Sequence, residues 1–164
     1  MTKVRYSSHN VNIRFATMFK TYTWVQPMIA EENGQKHYQK LEISFGGEVS
    51  EFYQVGDTVL FQGGEDDGEP YIGEIHSMYE KKGRKYCLCQ WFYRPDDVRT
   101  LAKQENILDN VDLTGPVVFL STHSDETEVE SILYPCLVEY VTEEGDHFDQ
   151  KGNMGQGIDA FVCR

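Results

Sequence analysis

Turn-forming residues recur at short intervals along the sequence, and this spacing most limits what the chain can fold into. Short runs rich in Val, Ile, Tyr and Phe alternate with clusters of Gly, Pro and Asp, a pattern typical of strands joined by turns. The dipeptide Asn33-Gly34 is a hairpin signal between the first two runs. The pattern predicts strands at residues 21–25, 38–45, 53–61, 70–79, 85–94, 117–121 and 132–141. A helix is predicted at residues 96–106, so we expect an all-β fold with short helical segments.

Composition limits the class of partner. The 164 residues, 40% of them hydrophobic, are enough for one core. Asp and Glu total 27 against 15 Lys and Arg, which gives a formal charge of −12. Because nucleic-acid binding relies on neutralising phosphates, this charge argues against strong direct nucleic-acid binding and favours a basic partner. No apolar run is long enough to span a bilayer, so we expect no membrane segment.

The cysteine pattern argues against a zinc site. Cys87, Cys89, Cys136 and Cys163 contain no CxxC pair, and the five histidines are scattered, so we expect no metal. Cys87 and Cys89 lie two apart, which suits one face of a strand. We therefore interpret the four residues as reduced thiols.

The segment at residues 79–85 reads as the tip of a hairpin. A three-residue loop at 81–83, with its glycine in the left-handed conformation, pairs Glu80 with Arg84. Counting back from that loop sets Gly73 opposite Trp91, which leaves an open space beside the indole. A bulge or a two-residue loop would change this register.

The same register gathers three aromatic residues on one face of the hairpin. It sets Tyr71 opposite Tyr93, and Trp91 shares a face with Tyr93 because strand side chains alternate. Core or cross-strand packing is one interpretation of such a cluster. The other is an aromatic cage for a methylated ammonium, with charge added by Asp96 and Asp97, which follow directly.

Several segments, in order and at normal spacing, resemble one family. They are residues 53–60 (YQVGDTVL), 69–75 (EPYIGEI), 90–97 (QWFYRPDD), 118–125 (VFLSTHSD), the spacing of Ile132, Cys136 and Val138, and the final FVCR. Together they resemble the bromo-adjacent homology (BAH) domain over residues 51–164. Residues 1–50 lie outside the resemblance, and we expect them to form an N-terminal extension packed on the barrel.

The resemblance implies a twisted β-barrel that serves as a chromatin reader or scaffold, without catalysis or a cofactor. In the subgroup that reads histone H3 trimethylated at lysine 27 (H3K27me3), the cage residues correspond to Tyr71, Trp91 and Tyr93. Asp97, and secondarily Asp96, would add charge at the rim. Family members commonly carry Glu-Glu at these two positions, and the aspartates of this sequence have a shorter side chain that reaches less far.

The resemblance also implies a peptide contact after the cage. A Ser-x-His-x-Asp segment of the same subgroup contacts the histone beside the methyl-lysine, and it corresponds to Ser121, His123 and Asp125. Taken alone, His123 and Asp125 also suggest a general-base pair. The sequence places no Ser or Cys nucleophile beside them, so we expect no enzyme activity.

The expected function is therefore to bind a trimethyl-lysine histone tail, first H3K27me3, within a nuclear protein of gene silencing and transcription repression. The expected partners are the methylated H3 tail, the nucleosome and other subunits of a repressor complex. We expect the chain to be a fragment of a larger chromatin protein. Plant and fungal readers that it resembles often carry a PHD finger after this domain. Two alternatives stay open: another mark, such as methylated H4 lysine 20 or H3 lysine 9, and a scaffold for a non-histone protein with the three rings packed shut.

Overall fold

The structure, a computed structural model, describes residues 20–47, 49–63, 68–103, 106–141, 147–148 and 159–164. Residues 1–19 of the predicted extension lie outside these ranges. The strands are β1 Lys20–Trp24, β2 Ala30–Glu32, β3 Gln35–Tyr38, β4 Lys40–Phe45, β5 Val49–Gln54, β6 Thr58–Phe61, β7 Tyr71–Lys81, β8 Arg84–Tyr93, β9 Val117–Glu128, β10 Ile132–Val141, β11 His147–Phe148 and β12 Asp159–Cys163. Helix α1 spans Pro95–Ala102, and a 3₁₀ turn spans Val129–Ser131.

Six strands close into a barrel in the order β6, β7, β8, β9, β12, β10, with β10 pairing back onto β6. Strand β12 runs parallel to both of its neighbours, and the other pairs are antiparallel. Every barrel strand contributes an apolar side chain to one buried cluster, which consists of Leu60, Ile72, Phe92, Val118, Cys136, Val138 and Cys163. The predicted all-β barrel is confirmed.

A second apolar layer lies on the other face of β6. Val59 and Phe61 alternate with Leu60, so they face away from the barrel interior. They pack in one cluster with Leu41 and Ile43 of β4, which belongs to a three-stranded sheet ordered β1, β4, β5. The sequence divided the chain into an extension at residues 1–50 and a domain at residues 51–164. Strand β5 includes residues from both parts, and this boundary stays a prediction.

The predicted strand at 53–61 is divided by a turn. Gly56 has a φ of +96°, which favours glycine, and its N–H donates to the carbonyl of Ile75 at 2.7 Å. The chain therefore ends β5 at Gln54 and resumes at Thr58. Asn33-Gly34 does form a hairpin turn with two positive φ angles, but it joins β2 to β3.

The tip of the long β7–β8 hairpin differs from the prediction. Its loop has two residues, Lys82 and Gly83, with φ angles of +52° and +76°. This is the conformation of a type I′ turn, whose twist matches that of the strands. Lys81 therefore pairs with Arg84, and the predicted pairing of Glu80 with Arg84 is wrong.

A bulge restores the predicted register lower in the same hairpin. Ser77 pairs with Leu88, whereas Ile75 pairs with Cys89, so His76 is an extra residue on β7. The residue that the prediction placed in the loop is thus absorbed at His76. As a result Gly73 lies opposite Trp91, as predicted.

No helix within the described ranges has the length and apolar character needed to cross a membrane.

Candidate functional site

A cavity of about 440 Å³ opens where β7 begins and β8 ends. Strands β7, β8 and β9 and helix α1 supply its walls, which consist of Tyr71, Trp91, Phe92, Tyr93, Asp97, Thr100, Leu101, His123 and Asp125. Six of the eight predicted site residues therefore meet in one place. Asp96 and Ser121 are not among the lining residues.

Two aromatic rings of this cavity differ in their surroundings: Trp91 packs against a neighbouring ring, and Tyr71 is exposed to solvent. The Trp91 ring meets Phe61 edge-on, with the ring centroids 5.2 Å apart. The centroid of Tyr71 is 6.1 Å from that of Trp91, at an interplanar angle of 66°. The Tyr71 side remains open to solvent, since this residue is 53% exposed. The two rings thus form adjacent, inclined walls instead of a closed stack.

The predicted open space beside the indole is absent, because Phe61 and the indole itself fill it. A Cβ placed on Gly73 would lie 3.1 Å from Cε3 and Cζ3 of Trp91 and 3.0 Å from Cε2 of Phe61. Without that carbon, both rings approach the β7 backbone closely. Gly73 therefore seats the indole instead of leaving room for a ligand.

Tyr93 and His123 form a hydrogen-bonded pair at the third wall. The Tyr93 hydroxyl oxygen and His123 Nδ1 are 2.9 Å apart, and the two ring centroids are 6.3 Å apart. Asp125 is exposed on β9, and one of its carboxylate oxygens accepts from the N–H of Glu126 at 2.8 Å. These side chains present both a ring face and a carboxylate to a ligand.

A bulge in β9 carries His123 toward the cavity. Phe92 pairs with Leu120 and Gln90 with Ser124, so residues 121–123 lie opposite Trp91 alone. The Oγ of Ser121 accepts the N–H of His123 at 3.1 Å, which fixes the bulge. Ser121 therefore positions the predicted peptide-binding residues, and its hydroxyl does not line the cavity.

The helix supplies one of the two predicted rim carboxylates. Asp97 lines the cavity, and its carboxylate also accepts the N–H of Arg94 at 2.9 Å, which caps the first turn of α1. Asp96 points elsewhere: its side chain is 94% exposed and lies 2.7 Å from Arg99. The difference follows from helix geometry, because consecutive residues project about 100° apart.

The prediction missed the cavity wall formed by the rest of the helix. Thr100 and Leu101 line the cavity, and Leu101 is exposed. The sequence predicted a helix here but did not indicate which of its side chains would face the aromatic rings. The available signal was the short distance in sequence between Tyr93 and α1, which forces the first helical turns to stay beside the aromatic rings.

The lining favours a cation. Asp97 and Asp125 are carboxylates, and none of the described lining residues is Lys or Arg. Ring faces and carboxylates together stabilise a positive group even when that group has no N–H to donate. Within the described ranges, no three His, Cys, Asp or Glu side chains are grouped as metal ligands.

The cysteines are free and buried. Sγ of Cys87 and Sγ of Cys89 lie 3.5 Å apart on one face of β8, as the spacing predicted. Burial and the charge of Asp159 raise the pKa of the Cys136 thiol to about 12, and burial also raises the pKa of Cys163. Cys136 and Cys163 are therefore protonated at neutral pH, a state in which a thiol is a poor nucleophile.

Comparison with known proteins gives a family and a fold. The sequence model of the BAH domain matches residues 51–164, the part of the chain that contains all six barrel strands. Among solved structures, the chain is similar to the crystal structure of the yeast Rsc2 BAH domain, with 21% sequence identity and a TM-score of 0.49. That match covers 74% of this chain and 47% of that chain, so less than half of the yeast chain is represented.

Proposed function

This chain belongs to the BAH domain family, whose members are binding modules often associated with chromatin, and from that premise we propose that it reads a trimethylated histone lysine. Tyr71, Trp91 and Tyr93 form the cage, and Asp97 adds charge at the rim. The observation that carries the proposal is one cavity walled by these three rings and two carboxylates, with no Lys or Arg among its described lining residues.

The chemistry of trimethyl-lysine fits this lining. A quaternary ammonium keeps its charge and has no N–H, so ring faces stabilise it better than hydrogen-bond acceptors do. Each cation–π contact contributes ~0.5–2 kcal/mol, depending on how far the cation is desolvated. The inclined rings of Tyr71 and Trp91 offer two such contacts, and the carboxylate of Asp97 offers longer-range attraction.

The peptide around the lysine is held by β9. His123 and Asp125 lie at the edge of the cavity, where the β9 bulge presents them. They resemble the segment that reads the residues next to lysine 27, so H3K27me3 is the first choice of ligand. The function is then exercised on nucleosomes in the nucleus, in a complex that represses transcription.

An alternative function is a scaffold for a non-histone protein. It requires the three aromatic rings to be packed shut, so that no ligand enters between them. The open cavity and the 53% exposure of Tyr71 favour a reader over this alternative.

Calorimetry against four histone peptides tests the proposal: H3 around lysine 27 unmodified and trimethylated, H3 around trimethylated lysine 9, and H4 around dimethylated lysine 20. We expect binding to the trimethylated lysine 27 peptide alone, with a micromolar Kd because a flexible tail must be ordered. Binding to another methylated peptide instead would keep the cage and change the mark. Binding to none would overturn the reader function.

Two matched variants test the cage itself. Tyr71→Ala removes a ring that is 53% exposed, and Phe52→Ala removes one that is 52% exposed on β5, away from the cavity. We expect Tyr71→Ala to weaken methyl-peptide binding by about tenfold or more, while Phe52→Ala binds like the wild type. Equal binding by both variants would show that the cage assignment is wrong.

A further inference from the structure

A second cavity, also of about 440 Å³, lies at one end of the barrel. Leu60 and Val118 line it, and both belong to the apolar cluster of the barrel interior. Tyr134 and Phe161 add two aromatic rings to its walls. The cavity is thus the mouth of the barrel, a common location for ligand sites in this architecture.

The mouth carries more negative than positive charge. Glu69 and Asp159 contribute two carboxylates, and Arg94 contributes one guanidinium. Arg94 is turned inward, with 23% of its side chain exposed, and its Nε donates to Glu69 at 2.8 Å. The side chain of Glu69 remains 77% exposed, so it retains acceptor sites for a second donor. Asp159 accepts the hydroxyl of Tyr134 at 3.3 Å.

The mouth and the aromatic cavity share a wall. Pro70 lines the mouth, whereas the next residue, Tyr71, lines the aromatic cavity. Likewise Arg94 lines the mouth, whereas the residue before it, Tyr93, lines the aromatic cavity. Pro70 directly precedes β7 and Arg94 directly follows β8, so the two spaces meet at these strand ends. An extended peptide bound at the aromatic rings and crossing these strand ends brings a nearby side chain to the mouth.

We propose that the barrel mouth binds a second, basic side chain of the same peptide whose trimethyl-lysine occupies the cage. The inference rests on the proposed function and adds a charge requirement near the methylated residue. The long apolar stem of an arginine or lysine packs against Phe161, Tyr134 and Pro70, and its charged end reaches Glu69 and Asp159. An acidic or short side chain at the same place gains neither contact.

The test is calorimetry with the trimethylated lysine 27 peptide and with versions in which each other basic residue is replaced singly by glutamine. We expect one replacement to weaken binding to the wild-type chain by about two- to fivefold, the range of an exposed ion pair. Asp159→Asn combined with Glu69→Gln should weaken binding of the parent peptide by a similar factor, and the sensitive replacement should then cause no further loss. Glu32→Gln, which removes an exposed carboxylate on β2, is the matched control.

The outcomes separate the two proposals. If the double variant binds the parent peptide as tightly as the wild type does, while Tyr71→Ala still weakens binding, the mouth proposal is wrong and the cage stands. If every basic replacement weakens binding equally in the wild type and in the double variant, the mouth proposal is also wrong. If the wild-type chain binds no methylated peptide, both proposals fall together.

Discussion

At position 73, the absence of a side chain determines how two aromatic rings are seated. Phe61 is buried on β6, next to the strand that carries Gly73, and Trp91 lies opposite Gly73 on β8. Both rings are within contact distance of the Gly73 backbone. The indole is therefore held by packing before any ligand arrives. Such preorganisation improves affinity because less freedom is lost on binding.

Gly73→Ala tests this arrangement. The new methyl group would lie 3.0 Å from Phe61 and 3.1 Å from Trp91, and Phe61 is too enclosed to move away. We expect a loss of about 1–3 kcal/mol in the free energy of unfolding, measured by urea denaturation, together with weaker methyl-peptide binding. Gly68→Ala is the control, since its added carbon meets no atom within 4 Å. Equal stability and binding in the two variants would contradict the proposed role of Gly73.

At the scale of elements, the turn between β5 and β6 is tied to the base of the bulge in β7. The carboxylate of Asp57 accepts the N–H of Gln54 at 2.8 Å, and the carbonyl of Asp57 accepts the N–H of Ile75 at 2.9 Å. Burial raises the pKa of Asp57 above its usual value of 3.8, although the bond from Gln54 acts in the opposite direction. The turn thus keeps a partly buried carboxylate whose charge is unfavourable to the fold.

The pKa of Asp57 gives a signed pH dependence. Because its folded-state pKa is raised, Asp57 contributes stability below its unfolded pKa and loses it as the pH rises through the folded value. Asp57→Asn keeps an oxygen acceptor without the charge. Its stability relative to the wild type should therefore increase as the pH rises from about 4 to 7, as measured by urea denaturation at several pH values.

Asp112 provides a control of opposite sign. Hydrogen bonds from Thr114 lower the pKa of Asp112. The backbone N–H of Thr114 donates to the Asp112 carboxylate at 2.9 Å. Because its folded-state pKa lies below 3.8, Asp112→Asn should lose stability relative to the wild type mainly as the pH rises to about 4, with little further change up to about pH 7. A pH-independent difference between Asp57→Asn and the wild type would show that burial does not govern Asp57.

The strands with apolar alternation could be predicted from the sequence, and the polar ones could not. Strands β2 and β3 have no buried residue and form because β3 pairs with β7, a tertiary contact that local patterns do not report. The site divides in the same way. Alternate residues of a strand share a face, and this placed Trp91 and Tyr93 together. The choice between Asp96 and Asp97 depended instead on the direction in which α1 leaves the strand.

At the scale of the whole molecule, the apolar layer outside the barrel joins residues that precede the family match to residues that lie within it. Leu41 and Ile43 precede residue 51, yet both are buried in the cluster that contains Phe61. Phe61 in turn meets the edge of Trp91. Strand β4 therefore supports the floor of the aromatic cavity through one intervening ring.

Leu41→Ala measures that support. The residue is fully buried, so its truncation should cost about 2–5 kcal/mol in the free energy of unfolding. Val49→Ala on β5 is the control because Val49 is 62% exposed, and it should cost less than about 0.5 kcal/mol. A small loss for Leu41→Ala in urea denaturation would mean that the barrel is stable without this layer.

The bulge at His76 has a consequence for how this hairpin can change over evolutionary time. From Ser77 to the tip the two strands follow one register, and from Ile75 to the base they follow another. A lineage that gains or loses a residue at the Lys82-Gly83 tip alters only the outer half, because the inner half is aligned independently. Insertions and deletions can therefore accumulate at the tip while Gly73 and Trp91 stay opposite each other. A single deletion on β7 between Gly73 and His76 would separate them.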